Sequence, residues 1–515
     1  MNVSGTDSAA ALRECRTSPL AGRRPGRKLN LLLAAMLVLC LARLWLMPLA
    51  SSFWVDEMAT AFVVRHGAAE PSLKVAPQVP ASIYYVLPGI AERLFGGSEV
   101  AYRLPSVLAM AAGLLLIARI AAKLIHPDAA WFVAIVCLFL RDFNYQAADA
   151  RPYALGTLVA SASLWLLIRW LDSARWTDAI LFVGVASLLW RVHLIFWPLY
   201  LVFALYTMVR LIGADTSVRW PKAAAVFALL GVALLPVLVQ ALSLFREAGA
   251  HVVAPPPSVA DLARSLKPGL VAAVAAAAAL MSLWFRKRLV VHAVSWAALS
   301  LVLGWWLCHP LCLFAFSRMT GNSVFLSRYL FVALPGVALA GTAIAAVFLP
   351  AQYWKPAAAL GLAVLLFQGH WSHLWPAHHN SDWRAASRSL DSLSLGPDVP
   401  VICPSPFIEA RPPVWRPDYP ISSFLYSHLL VYRMSGKPYP FPFESSPEAE
   451  QFAAQLSKKT LSSSPRFVVY GGGRAVRFWT KWFGARPELA AWQSWRLGMF
   501  GDVEVVVFEK MHGVV

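Results

Sequence analysis

Two adjacent carboxylates, Asp56 and Glu57, follow directly on the first long apolar run of the chain, at residues 29–49. Carboxylates at a membrane boundary are costly to desolvate, so their placement there asks for a chemical reason. Asp56 has the type and position of a general base that takes a proton from an acceptor hydroxyl. Glu57 would orient the acceptor or hold a cation. The plainer reading is that both acids mark a helix end and cap the next helix.

A second cluster lies at residues 142–153, where Asp142, Asp149, Arg151, Tyr145 and Tyr153 fall within one short loop. The Asp149/Arg151 pair either neutralises itself at the boundary or faces Asp56 across a cleft. Two further guanidinium groups, Arg103 and Arg328, stand at the ends of apolar runs. Either they snorkel to lipid phosphate or they grip a phosphate on a substrate, a task that suits the arginine fork. His193 is a helix-end histidine or a substrate contact.

The elements that must position these groups are membrane spans. Of 515 residues 58% are hydrophobic and only 14% charged, with 22 Trp and 28 Phe, against roughly 25% charged in a soluble chain. The net charge of +18 would suggest nucleic acid in a soluble protein. Here the basic residues cluster between apolar runs, which points to membrane topology and away from nucleic acid. Apolar runs begin near residues 29, 104, 129, 153, 180, 194, 223, 270, 289, 329 and 356. They predict about 11 crossings, with the runs from 129 and 180 short for the ~17–25 residues a crossing needs.

If the basic tail 1–28 is cytoplasmic, the inner loops carry Arg119 and Lys123; Arg169 and Arg175; Arg210, Arg219 and Lys222; Arg286, Lys287 and Arg288; and Lys355. That is the short-loop Lys/Arg excess of cytoplasmic loops. Arg246, Arg264 and Lys267 dissent from it. The first run is too long for a signal-peptide core, and Pro48-Leu49-Ala50 is a poor cleavage site. Residues 80–95, aromatic and proline-interrupted, read as a helix lying in the outer interface.

The division expected is a tail at 1–28, a membrane core at 29–370 with an outer loop at 50–103, and an extracytoplasmic α/β domain at 371–515. In that last domain strands are predicted at 399–403, 466–470 and 503–508, and helices at 383–393 and 475–483. The proline-rich stretches 404–420 and 439–442 read as loops. The fold class is therefore mainly α, a polytopic helical bundle with a small C-terminal α/β domain. Cys308 and Cys312 read as two packed thiols; His309 lies between them without a second ligand at metal spacing.

The motifs follow one another in an order that resembles the GT-C superfamily of polytopic membrane glycosyltransferases, in particular its protein-mannosyltransferase and aminoarabinose-transferase branch. They are Asp56-Glu57, Tyr84-Tyr85, Arg103-Leu104-Pro105-Ser106, Ala150-Arg151-Pro152-Tyr153, His193, Ser327-Arg328-Tyr329 with Pro335, and Asp382-Trp383-Arg384. The resemblance covers roughly residues 30–390. It departs where the family commonly has His-Pro-Pro and this chain has Gln78-Val79-Pro80.

The resemblance implies a multi-pass enzyme of the plasma membrane, periplasmic-facing in a Gram-negative cell. It would move a sugar from a polyprenyl-phosphate donor to a hydroxyl on a lipid, glycan or protein acceptor, with inversion. Asp56, Glu57 and Asp149 would be the catalytic acids. Arg103, Arg151, Tyr153, His193, Arg328, Tyr329, Tyr84 and Tyr85 would bind donor and substrate. No organic cofactor is implied, and a divalent metal is left open. The rival class is a transporter or flippase of a lipid-linked sugar, although the internally repeated halves common in transporters are not visible in this chain.

Overall fold

The computed structural model describes residues 26–79, 82–247, 255–284, 294–367 and 377–511. Most of the basic tail, the Arg286–Arg288 loop and the expected boundary at 370/371 lie outside the described residues. Seven helices are long and apolar enough to cross a membrane, or eight if the bent pair Val259–Ser265 and Pro268–Leu283 is one span. The chain is an integral membrane protein. The difference from about 11 lies in three short helices, Ala129–Phe139, Trp176–Val192 and Trp354–Phe367. They coincide with apolar runs but have 11, 17 and, among the described residues, 14 residues, and at 1.5 Å per residue the shortest falls well below a bilayer's ~30 Å core.

Ion pairs mark one end of the bundle. Lys123 pairs with Asp172 at 3.0 Å, Arg210 with Asp172 at 2.8 Å, Arg169 with Asp178 at 2.8 Å and Lys355 with Asp128 at 3.2 Å. On helix Glu99–Leu124, Lys123 is about 30 Å of helical rise from Arg103. The acidic cluster therefore lies at the opposite end. Among the dissenting residues, Lys267 bonds Asp142 at 3.0 Å and Arg264 pairs with Asp261, so both have local anionic partners. Arg43 Nη1 donates to the Leu366 carbonyl at 2.7 Å and so ties the first span to helix Trp354–Phe367.

Helix Val86–Phe95 has 10 residues and leaves Val86, Ile90, Leu94 and Phe95 exposed on one side. That face is the one an interfacial helix would bury in lipid.

The C-terminal segment builds a five-stranded mixed sheet in the order β2-β1-β3-β5-β4. The strands are β1 Pro400–Pro404, β2 Lys437–Phe441, β3 Arg466–Gly472, β4 Trp492–Phe500 and β5 Val503–Lys510. The stretch 439–442, read as a loop, falls largely within β2. Its prolines are tolerated because β2 is an edge strand, where a missing N–H breaks no central ladder. Helices Trp383–Asp391 and Gly473–Gly484 lie where the sequence predicts them.

The C-terminal segment shares one apolar core with Phe53, Met58, Phe62 and Tyr102, and its short helix Ser427–Val431 packs on the helix that carries the acid pair. Three contacts lock the docking: Arg384 to Glu99 at 3.1 Å, Tyr432 Oη to Glu99 at 2.8 Å, and the Phe53 N–H to Tyr432 Oη at 2.8 Å. The β4–β5 turn holds the incoming chain, with the Asp502 N–H donating to the Asn380 carbonyl at 2.7 Å. At the same turn Gly501 has φ +66, and a Cβ there would sit 1.6 Å from the Asn380 oxygen. Gly501→Ala is expected to cost more than about 2 kcal/mol, from αL strain and a backbone clash. A thermal-unfolding midpoint equal to wild type would contradict this packing.

Candidate active site

The helix Val55–His66 starts at the membrane-proximal end of that shared core, with Asp56 and Glu57 in its first turn, where the helix dipole favours acids. The Trp54 N–H donates to Glu57 Oε2 at 3.3 Å, so the capping reading is realised for Glu57. Glu57 and Arg103 are both fully buried. Arg103 Nε donates to Glu57 Oε1 at 2.7 Å, and the Ala150 N–H donates to the same oxygen at 2.8 Å. The remaining Arg103 donors go to the carbonyls of Pro48, Leu49, Ser51 and Ser52. Burial works against the Glu57 charge, but Arg103 outweighs it and holds the carboxyl below its usual range.

Asp56 is the acid left facing open space. Arg328 Nη1 donates to Asp56 Oδ2 at 3.0 Å, and Arg151 Nη2 lies 3.9 Å from the same oxygen. A second Arg151 nitrogen donates to the Asp56 carbonyl at 3.2 Å. Burial opposes the Arg151 charge, yet Asp56 and its neighbours keep the guanidinium well above its ordinary value. The three side chains line a cavity of about 400 Å³. Its membrane-side wall includes Trp54, Gln78, Tyr85, Trp190, His193 and Tyr329, and its other wall Phe407, Glu409, Phe424 and Phe443 from the C-terminal segment. Burial, with the charges of Arg151 and Arg328, holds His193 down to about 3. The Ile195 N–H donates to its Nδ1 at 3.3 Å, so the ring is neutral and keeps Nε2–H as a donor.

Residues 79–239 match the family profile described as dolichyl-phosphate-mannose-protein mannosyltransferase. No curated protein matches the sequence. Among solved structures, ArnT from Cupriavidus metallidurans in the apo state aligns with a TM-score of 0.55 at 13% identity, covering 93% of this chain and 97% of that one. The same ArnT bound to undecaprenyl phosphate aligns at 0.53 and 12%, over 93% and 97%. The chain has the GT-C fold. The profile match lies inside that fold and agrees with the superfamily to which the ordered motifs pointed.

Within the GT-C frame the expected site residues divide into two layers. Asp56, Arg151, His193, Arg328, Tyr329 and Tyr85 meet around the cavity. Arg103 does not, and it has no donor left for a phosphate because Glu57 and four carbonyls take them all. Tyr84 is buried, its hydroxyl 3.0 Å from Ser106 Oγ. Tyr153 lies behind His193, stacked at 5.8 Å between centroids.

Asp149 is fully buried away from the cavity. Its Oδ1 accepts from Trp54 Nε1 at 3.0 Å and lies 3.5 Å from His378 Nε2. Burial first, and the Glu57 charge as well, push the Asp149 carboxyl up; His378 opposes this. Sequence reasoning missed His378 and His379, the second of which stacks on Trp54 at 5.2 Å. Their signal was a histidine pair four residues before the Asp382-Trp383-Arg384 motif.

Proposed function

We propose that this chain is a membrane glycosyltransferase that moves a sugar from a polyprenyl-phosphate donor to an acceptor hydroxyl on the extracytoplasmic side. The observation that carries the proposal is the Asp56 carboxylate held between Arg328 and Arg151 at the wall of an open cavity. The GT-C fold and the undecaprenyl phosphate bound by the ArnT relative support the donor class.

In this reading the donor phosphate lies against Arg328 and Arg151. Asp56 Oδ2 takes the acceptor proton while the acceptor oxygen attacks the anomeric carbon from the face opposite the phosphate. The glycosidic C–O bond to phosphate breaks, and polyprenyl monophosphate leaves with one additional negative charge. That charge draws the two guanidinium groups from Asp56, so the base strengthens as the leaving group departs. Neutral His193 contributes a hydrogen-bond donor, and Tyr85 and Tyr329 offer ring surface to the sugar. Glu57 and Arg103 fix the turn that aims Asp56.

Arg328→Ala is expected to weaken binding of polyprenyl phosphate about 10–150-fold, the worth of a charge-assisted bond of ~1.5–3 kcal/mol. Arg328→Lys should restore part of it. Titration of the purified protein with polyprenyl phosphate measures this directly. Equal affinity in wild type and Arg328→Ala would remove Arg328 from the phosphate site.

A further inference from the structure

Behind Asp56, on the side away from the cavity, three ligand-type side chains converge. Glu57, Asp149 and His378 each offer one atom, and these atoms all lie within 4.8 Å of one another. The three residues are 0%, 0% and 7% exposed. Asp149 Oδ2 and His378 Nε2 have no hydrogen-bond partner, and each unmade bond in a dry site costs about 1–3 kcal/mol. The 3.5 Å between His378 Nε2 and Asp149 Oδ1 is not a hydrogen bond. It is close to the ~3.4 Å that separates two ligands held about 2.0–2.1 Å from a tetrahedral zinc ion.

Charge points the same way. Two carboxyl groups are buried here against the single guanidinium of Arg103, and a bound cation would let both of them ionise. Glu57 already accepts four hydrogen bonds, from Trp54, Ala150 and two Arg103 nitrogens, so an ion would take the place of the longest, the 3.3 Å bond from the Trp54 N–H, among the carboxylate's roughly four lone-pair sites. We propose that Glu57, Asp149 and His378 bind one divalent transition-metal ion, with zinc the best match to an imidazole–carboxylate set.

The ligands come from three distant parts of the chain: the turn after the first span, the loop before Tyr153, and the entry to the C-terminal segment. The site is braced from both sides. Tyr145 stacks on the His378 ring at 4.2 Å, and the His378 N–H donates to Ser51 Oγ at 3.0 Å. An ion here would pin the C-terminal sheet to the acid-bearing turn and fix Trp54, two residues before Asp56. Its role is positioning, since none of the three ligands lines the cavity.

The test is metal analysis of the full-length protein, purified in detergent without chelator, incubated with zinc chloride and desalted. About one zinc per chain is expected in wild type, and at least a tenfold loss in His378→Ala. Cys308→Ser/Cys312→Ser, which removes the only paired thiols among the described residues, should keep the wild-type content. X-ray absorption at the zinc edge of wild type guards against a misfolded variant; it should show only nitrogen and oxygen neighbours near 2.0 Å. No zinc in wild type, undiminished zinc in His378→Ala, or sulfur in the zinc shell would each overturn the assignment. Sugar turnover does not enter these readouts, so they are independent of the proposed reaction.

Discussion

Asp56→Asn is expected to slow sugar transfer by about 10²–10⁴-fold, the contribution of a positioned general base, in a protein that still folds and still binds donor. Asparagine keeps the shape and can still accept from Arg328, so the cavity wall is preserved. What it cannot do is take the acceptor proton. The loss should therefore fall on kcat, with the donor KM unchanged or lower, because Arg328 and Arg151 no longer divide their charge between a carboxylate and the phosphate. Steady-state kinetics on the purified variant measure the split. A kcat within tenfold of wild type would remove Asp56 from the role of base.

Arg103→Ala is expected to produce the largest loss of stability, about 3–5 kcal/mol, because it leaves the Glu57 charge buried without its counter-ion. Against a total of roughly 5–15 kcal/mol for a folded domain, such a loss should sharply lower the amount of protein in the membrane. The guanidinium also satisfies the carbonyls at the end of the first span, so the effect is larger than loss of one ion pair. Glu57→Gln should be milder, since the amide keeps part of the hydrogen bonding and four backbone carbonyls still accept from the buried Arg103 guanidinium. Thermal unfolding in detergent would rank the two. An Arg103→Ala midpoint within a few degrees of wild type would contradict a structural role for this pair.

These two variants separate residues that look alike in sequence. Asp56, Glu57, Arg103, Arg151 and Arg328 were all legible as ionisable groups at the ends of apolar runs, the rarest and costliest positions in such a chain. Which of them pair internally was not legible. Glu57 and Arg103 are 46 residues apart, and adjacent positions in a first helical turn point in different directions. Asp56 thus faces the cavity while Glu57 faces the interior.

Helical periodicity and β-branched runs located most of the fold, including β1, β3 and β5. β2 was lost because Pro438 and Pro440 are breakers anywhere except at a sheet edge, and edge position is a tertiary fact. β4, largely solvent-facing, lacked the apolar run that marks a strand. Phe407, Glu409 and Phe424 reach the cavity only because the C-terminal segment docks on helix Val55–His66. No local pattern announces that.

The central claim is tested most directly by release and transfer of radiolabelled sugar from a panel of polyprenyl-phosphate sugars by the purified protein in lipid. The account predicts turnover of one donor, with polyprenyl monophosphate as the other product and the new glycosidic bond of inverted configuration. Absence of turnover with every donor, in protein shown to be folded and supplied with lipid, glycan and protein acceptors, would contradict it.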